Sequence, residues 1–236
     1  MLFLLTGDVQ IGKTRWLESL CASLQAAGTC VAGVVAPGQW VPRPEGQPGG
    51  KHGFDGAGRF EKLGIDNVLL PQGERIGFAR RRDLATEGKA FAEGAQAKAA
   101  KLGWAISDAA IAQVNAHFAA LAKQAGITPA DDCTDTPAAT QAAANEAKLA
   151  PHAMLVVDEL GRLELLRGCG LTNALAILDA GPTPQFPHAI AVVRETLLDD
   201  ARQRFEPRWG EPTAISPDGA SRELVLETVK TAKDVC

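Results

Sequence analysis

The stretch GDVQIGKT, residues 7–14, follows the apolar start MLFLL and constrains this chain more than any other part of it. It fits the pattern G-x-x-x-x-G-K-[ST] at every fixed position. That pattern has a mechanical meaning only between a buried strand and a helix. Leu2 to Leu5 form a continuous apolar run, which reads as the strand. From Lys13 to Ala26, Trp16, Leu17, Leu20, Cys21 and Leu24 share one helical face, and Gly28 supplies the stop. VAGVVAP (31–37) reads as the next strand, ended by Pro37. The three segments predict a βαβ unit whose strands are parallel.

The residue types point to phosphate chemistry. Gly7 and Gly12 permit backbone angles closed to other residues. Successive N–H groups then turn inward around an anion, and the amino end of the following helix adds positive potential. Lys13 is expected to reach the β- and γ-phosphates as a point charge, and the Thr14 hydroxyl to ligate Mg²⁺. Gly7, Asp8, Val9, Gln10, Ile11, Gly12, Lys13, Thr14 and the adjoining Arg15 make up the expected nucleotide-binding segment.

A phosphate loop alone only binds; hydrolysis also needs a metal anchor and an oriented water. Met154 to Val157 deliver Asp158 to the carboxyl end of a buried strand, the edge where open α/β sheets bind ligands. Asp158 is therefore the expected second metal ligand beside Thr14. Glu159 is the expected base, with Glu164 of GRLELL as its competitor. Lys13 and Glu159 are the expected catalytic pair. A cation for the charge that builds on the γ-phosphoryl is sought among Arg162, Arg194 and the run Arg80–Arg82.

The remaining chain reads as follows. Residues 37–58, dense in Gly and Pro, predict a long irregular loop, and 67–82 a hairpin turning at Gln72-Gly73. Ile111, Val114, Phe118 and Leu121 mark the inner face of a helix ending near Gly126. Residues 128–150 look like a flexible insertion. The strand at 154 is expected to run into a loop, and HAIAVVR (188–194) to be another strand, followed by a helix from about Leu197 to Phe205. TAIS (213–216) and SRELVLETVKTAK (221–233) predict a last short strand and an amphipathic helix. Strands alternating with helices predict an α/β fold: one P-loop NTPase domain over 1–236, its mostly parallel sheet covered on both faces.

Composition narrows the function classes. The net charge of −4 argues against a general nucleic-acid or anionic-membrane binder. No segment approaches ~18 uninterrupted apolar residues, so a soluble, cytoplasmic chain is expected. The cysteines number five, an odd count, with no C-x-x-C pair, which disfavours a disulfide framework or structural zinc. The four histidines are scattered.

DELGRLELL (158–166) resembles the Asp-Glu segment of the THEP1-type nucleoside-triphosphatases, small P-loop proteins. Asp158, Glu159, Leu160, Gly161, Leu163, Glu164 and Leu165 match, and Arg162 stands where the family often has lysine. GRFEKLGIDNVLLPQGERIGFARR is similar to the family's hairpin region, and LGWAISDAAIAQVNAHF to the segment before its central helix. The resemblance implies a mononucleotide-kinase-like α/β fold and Mg²⁺-dependent hydrolysis of broad NTP substrates, ATP or GTP among them, to NDP and phosphate. It also implies that Gly161, with Asp158 and Glu159, closes the nucleotide site. The alternatives are a small-molecule kinase, its acceptor pocket lined by the 37–60 loop, and a nucleotide-gated adapter. GKHGFDGAGRFEKLG distantly resembles an adapter of molybdopterin-dinucleotide assembly, which would set His52, Phe54 and Asp55 against a partner or pterin. The 37–60 loop and Arg80–Arg82 are the expected protein-docking segments.

Overall fold

The structure, a computed structural model, describes residues 1–42, 60–85, 94–96, 104–128 and 150–234. Its strands, in chain order, are β1 (Leu2–Leu5), β2 (Val31–Val35), β3 (Gly38–Pro42), β4 (Phe60–Leu70), β5 (Glu74–Arg81), β6 (Trp104–Ile106), β7 (Met154–Leu160), β8 (His188–Val193) and β9 (Thr213–Ile215). The helices are α1 (Lys13–Ala26), α2 (Arg82–Ala85), α3 (Asp108–Gln124), α4 (Arg162–Arg167), α5 (Thr172–Ala180), α6 (Leu198–Trp209) and α7 (Gly219–Asp234).

All nine strands join one sheet in the order β6-β5-β4-β2-β7-β8-β1-β9, with β3 paired to β4. The run β2-β7-β8-β1-β9 is parallel. Beyond β2 the sheet turns antiparallel through β4, β5 and β6, and β3 lies alongside the outer part of β4.

The parallel strands are apolar on both faces because helices cover both. Phe3 and Leu5 of β1, Met154 and Val156 of β7, and Ile190 and Val192 of β8 pack with α1 and α7. The alternate residues Leu2, Leu4, Leu155, Val157, Ala189 and Ala191 pack with α3, α5 and α6. One position permits no side chain. Gly33 has φ 120°, and a Cβ there would lie 2.0 Å from the Val156 carbonyl oxygen on the neighbouring strand.

β8 stands between β1 and β7, pairing with both. The strand that feeds the phosphate loop and the strand that carries the acids are thus two places apart, roughly 10 Å at ordinary strand spacing. The implied kinase-like fold did not reveal this placement.

Several expectations are corrected. The Gly/Pro-rich stretch 37–58 does not begin as an irregular loop: Gly38–Pro42 form β3, stabilised by pairing with Phe60–Ile65. Its remainder, with His52, Phe54 and Asp55, lies outside the described residues, as does 129–149 of the expected insertion. The hairpin turns at Pro71–Gly73 as expected, but its first strand starts at Phe60 rather than 67. The segment after Leu160 is the short helix α4 rather than a loop, and α5 and β6 are additional elements.

Candidate active site

The turn out of β1 places Gly7 (φ 132°), Gln10 (φ 66°) and Gly12 (φ 96°) in left-handed backbone. Gly12 caps α1, which begins at Lys13 and has no acidic residue in its first turn. The positive end of this helix is therefore uncompensated by its own side chains. Asp8, Val9 and Ile11 are exposed on the loop. Lys13 curls back over it, its Nζ donating to the carbonyls of Gly7 at 2.7 Å and Asp8 at 2.8 Å. Burial lowers the Lys13 pKa, while Glu159 and Asp158 act in the opposite sense.

Asp158 comes to meet this loop. Its residue is 3% exposed. Its Oδ2 accepts from the Ala36 amide at 3.0 Å, and the Thr14 hydroxyl lies close enough to favour the charged form. Burial lifts its pKa to about 6, partly offset by those two donors and reinforced by the charge of Glu159. The peptide joining Asp158 to Glu159 is cis, and the β7–β8 register shifts between Val157 and Leu160.

Glu159 is half-exposed, and its Oε1 accepts from Arg194 Nε at 2.8 Å. Arg194 follows directly on β8, so three adjacent strands bring Lys13, Thr14, Asp158, Glu159 and Arg194 to one carboxyl edge. Glu164 is used differently. It is buried, with Oε2 accepting from Gly161 N at 2.8 Å and Oε1 from Leu171 N at 3.1 Å. Burial raises its pKa, and both amides work against that rise. It fastens the amino end of α4 to the start of α5, and it takes the amide of Gly161.

The arginines separate in the same way. Arg194 is at the acids. Arg162 lines an open cleft of about 420 Å³ with Arg194, Thr196 and Asp200. Arg81 is paired with Glu61, and with Asp83 at 2.6 Å. Arg15, in the first turn of α1, lies over the ring of Trp40 on β3, 5.9 Å from its centroid.

The donor set suits Mg²⁺. Thr14 and Asp158 offer hard oxygen donors on one edge of the sheet, and Mg²⁺ is commonly held by one or two carboxylates together with substrate phosphate oxygens and water. Among the described residues no group of three or more His, Cys, Asp and Glu side chains forms an all-protein cage.

Sequence reasoning missed one charged residue here. Lys62 of β4 sits between Trp40 and Trp104, its Nζ 5.8 Å and 5.5 Å from the ring centroids. No motif marks it; the tryptophans on β3 and β6 were its only trace.

No protein-family model matches the chain, and no curated protein sequence does. Solved structures do. THEP1 from the hyperthermophile Aquifex aeolicus, a crystal structure, superposes with a TM-score of 0.53 at 11% identity, over 97% of this chain and 96% of that one. The solution structure of a human cancer-related nucleoside triphosphatase gives a TM-score of 0.48 at 16% identity, over 98% and 95%. The chain has the α/β P-loop fold of THEP1, along nearly its whole length.

Proposed function

We propose that this chain is an Mg²⁺-dependent nucleoside-triphosphatase, converting NTP and water into NDP and phosphate. The observation that carries this reading is the shared carboxyl edge of adjacent strands, where Asp158 and Glu159 lie close enough to the phosphate loop for both charges to act on Lys13. The fold shared with THEP1 agrees with it in kind.

The amides of residues 7–13 and the amino end of α1 bind the polyphosphate. Lys13 leaves the Gly7 and Asp8 carbonyls for the β- and γ-phosphate oxygens. Thr14 and Asp158 hold Mg²⁺, which when bound neutralises charge on those oxygens. Glu159 orients a water against the γ-phosphorus and receives its proton, while Arg194 fixes the carboxylate's direction. The water oxygen bonds to phosphorus, the bond to the β–γ bridging oxygen breaks, and that electron pair stays on the diphosphate. Positioning and electrostatics supply most of the acceleration.

The test is phosphate release from ATP, GTP, CTP and UTP with Mg²⁺, with Lys13→Ala as the blank. Release by the parent that Lys13→Ala abolishes supports the reading; release equal in both refutes it. Transfer of the phosphate to an added small molecule, with little released to water, would favour the kinase instead.

A further inference from the structure

The sequence offers three places for a cation facing the terminal phosphate, all arginines. The structure adds a fourth charge from another direction. Lys62 lies on the antiparallel arm formed by β3, β4, β5 and β6. This arm continues the sheet beyond β2, and its Trp40 lies against Arg15 in the first turn of α1, 5.9 Å from ring centroid to guanidinium carbon. Lys62 pairs in register with Trp40. Its stem fills the space over Gly38, where a Cβ would come within 2.6 Å of Lys62 Cε. Its ammonium is flanked by two indoles rather than spread in water. Such rings attract a cation but satisfy none of its three N–H donors with an oxygen. Asp158 and Glu159 are close enough for their charges to act on it.

We infer that Lys62 is a second phosphate-facing cation, contacting the terminal phosphoryl group of a bound nucleoside triphosphate while Trp40 and Trp104 hold its ammonium from the arm side. The inference rests on the nucleotide reading above. Two charges then face the terminal phosphate from two parts of the fold, Lys13 from the loop and Lys62 from the arm, while Arg194 at the end of β8 is engaged by Glu159. The assignment also explains why a lysine is kept in a partly buried aromatic slot. There it is shielded from water, so its charge acts more strongly than an exposed one. Arg81, in the same arm, is occupied by Glu61 and Asp83.

A contact made only to the terminal phosphate distinguishes triphosphate from diphosphate, and it acts where charge builds during the reaction. The experiment therefore compares binding of the β,γ-imido analogues of ATP and GTP with binding of ADP and GDP, using the full chain with Mg²⁺. Lys62→Met is expected to weaken the imido analogue about tenfold or more. Diphosphate affinity should stay within about twofold, and kcat should fall about a hundredfold. Lys62→Arg should recover part of the triphosphate binding. Trp104→Leu should cost less than Lys62→Met, and again only for the triphosphate. If Lys62→Met fails to fold, the arginine and leucine variants carry the same comparison.

Equal losses for di- and triphosphate, or no loss for either, would overturn the inference. The Lys13→Ala variant separates this failure from failure of the nucleotide reading. If the parent binds both nucleotides through Lys13 and Lys62→Met shows no selectivity, only the role of Lys62 falls. If the parent binds neither nucleotide, both readings fall together.

Discussion

Replacing Glu164 by Ala should destabilise the protein while leaving its chemistry in place, the reverse of replacing Glu159 by Gln. Both residues belong to one acidic segment, yet their surroundings differ. Glu164 gives its two oxygens to the amides of Gly161 and Leu171. Removing the carboxylate leaves two donors unmet in a buried corner, at about 1–3 kcal/mol each. Part of that returns, because burial already disfavours the ionised carboxylate, as its raised pKa records. The net expectation is a loss of about 2–4 kcal/mol, a large share of the ~5–15 kcal/mol that holds a typical domain. For a chain of this size that lowers Tm by about 4–16 °C.

Glu159→Gln removes only a half-exposed ion pair with Arg194, worth about 0–1 kcal/mol. It should, however, reduce phosphate release by about 10²–10⁴ if Glu159 takes the proton. Urea unfolding midpoints and single-turnover phosphate release, measured on both variants, give the comparison. A Glu164→Ala protein as stable as the parent refutes the anchoring argument. A Glu164→Ala protein fully folded below its Tm but inactive, beside an active Glu159→Gln, reverses the two roles.

Three further outcomes follow from the geometry. Gly33→Ala forces a methyl against the Val156 carbonyl at a left-handed backbone position, so little folded protein should be recovered, which circular dichroism of the soluble fraction reports. Gly7→Ala meets only the flexible tip of Ile11, at 2.5 Å, and the exposed loop can relax away from φ 132°; binding must restore that backbone, so nucleotide affinity should fall more than tenfold by titration calorimetry, roughly 1.4 kcal/mol or more of strain, with Tm nearly unchanged. Burial depresses His188 to about 4, below its ordinary 6.5. The unfolded chain therefore binds more protons between those values, and the stability of the neutral imidazole, complete above 6.5, is lost as pH falls toward 4. The unfolding free energy of the parent relative to His188→Gln should rise with pH across that window; a flat difference contradicts the burial argument.

The parallel half of the fold was legible because its strands are short unbroken apolar runs, Leu2–Leu5, Val31–Val35, Met154–Val157 and Ala189–Val193, each buried on both faces. That Asp158 stands on the same edge of the sheet as the phosphate loop was legible too, since both follow the carboxyl ends of parallel strands. The arm was not. β3 contains Gly38 and Pro42 and is held by its partner rather than by propensity. The register of β4 shifts at Ile65/Asp66, which breaks the alternation that a periodicity reading needs. α4 has six residues, too few to show a helical period, and its amino end is secured by Glu164, which looked like a catalytic candidate. Strand order is a long-range property, so no local pattern announced that β8 divides β1 from β7.

That placement of β8 has a consequence for how the pocket responds to a guest. Both walls of the pocket are clamped to the same central plank, so they separate only if a largely buried strand pulls free. Much of the ordering that a floppy site would undergo at each encounter has been completed once, during folding. What remains free to adjust is lighter: the curl of Lys13, the swing of Arg194, and the arm carrying Trp40 and Lys62.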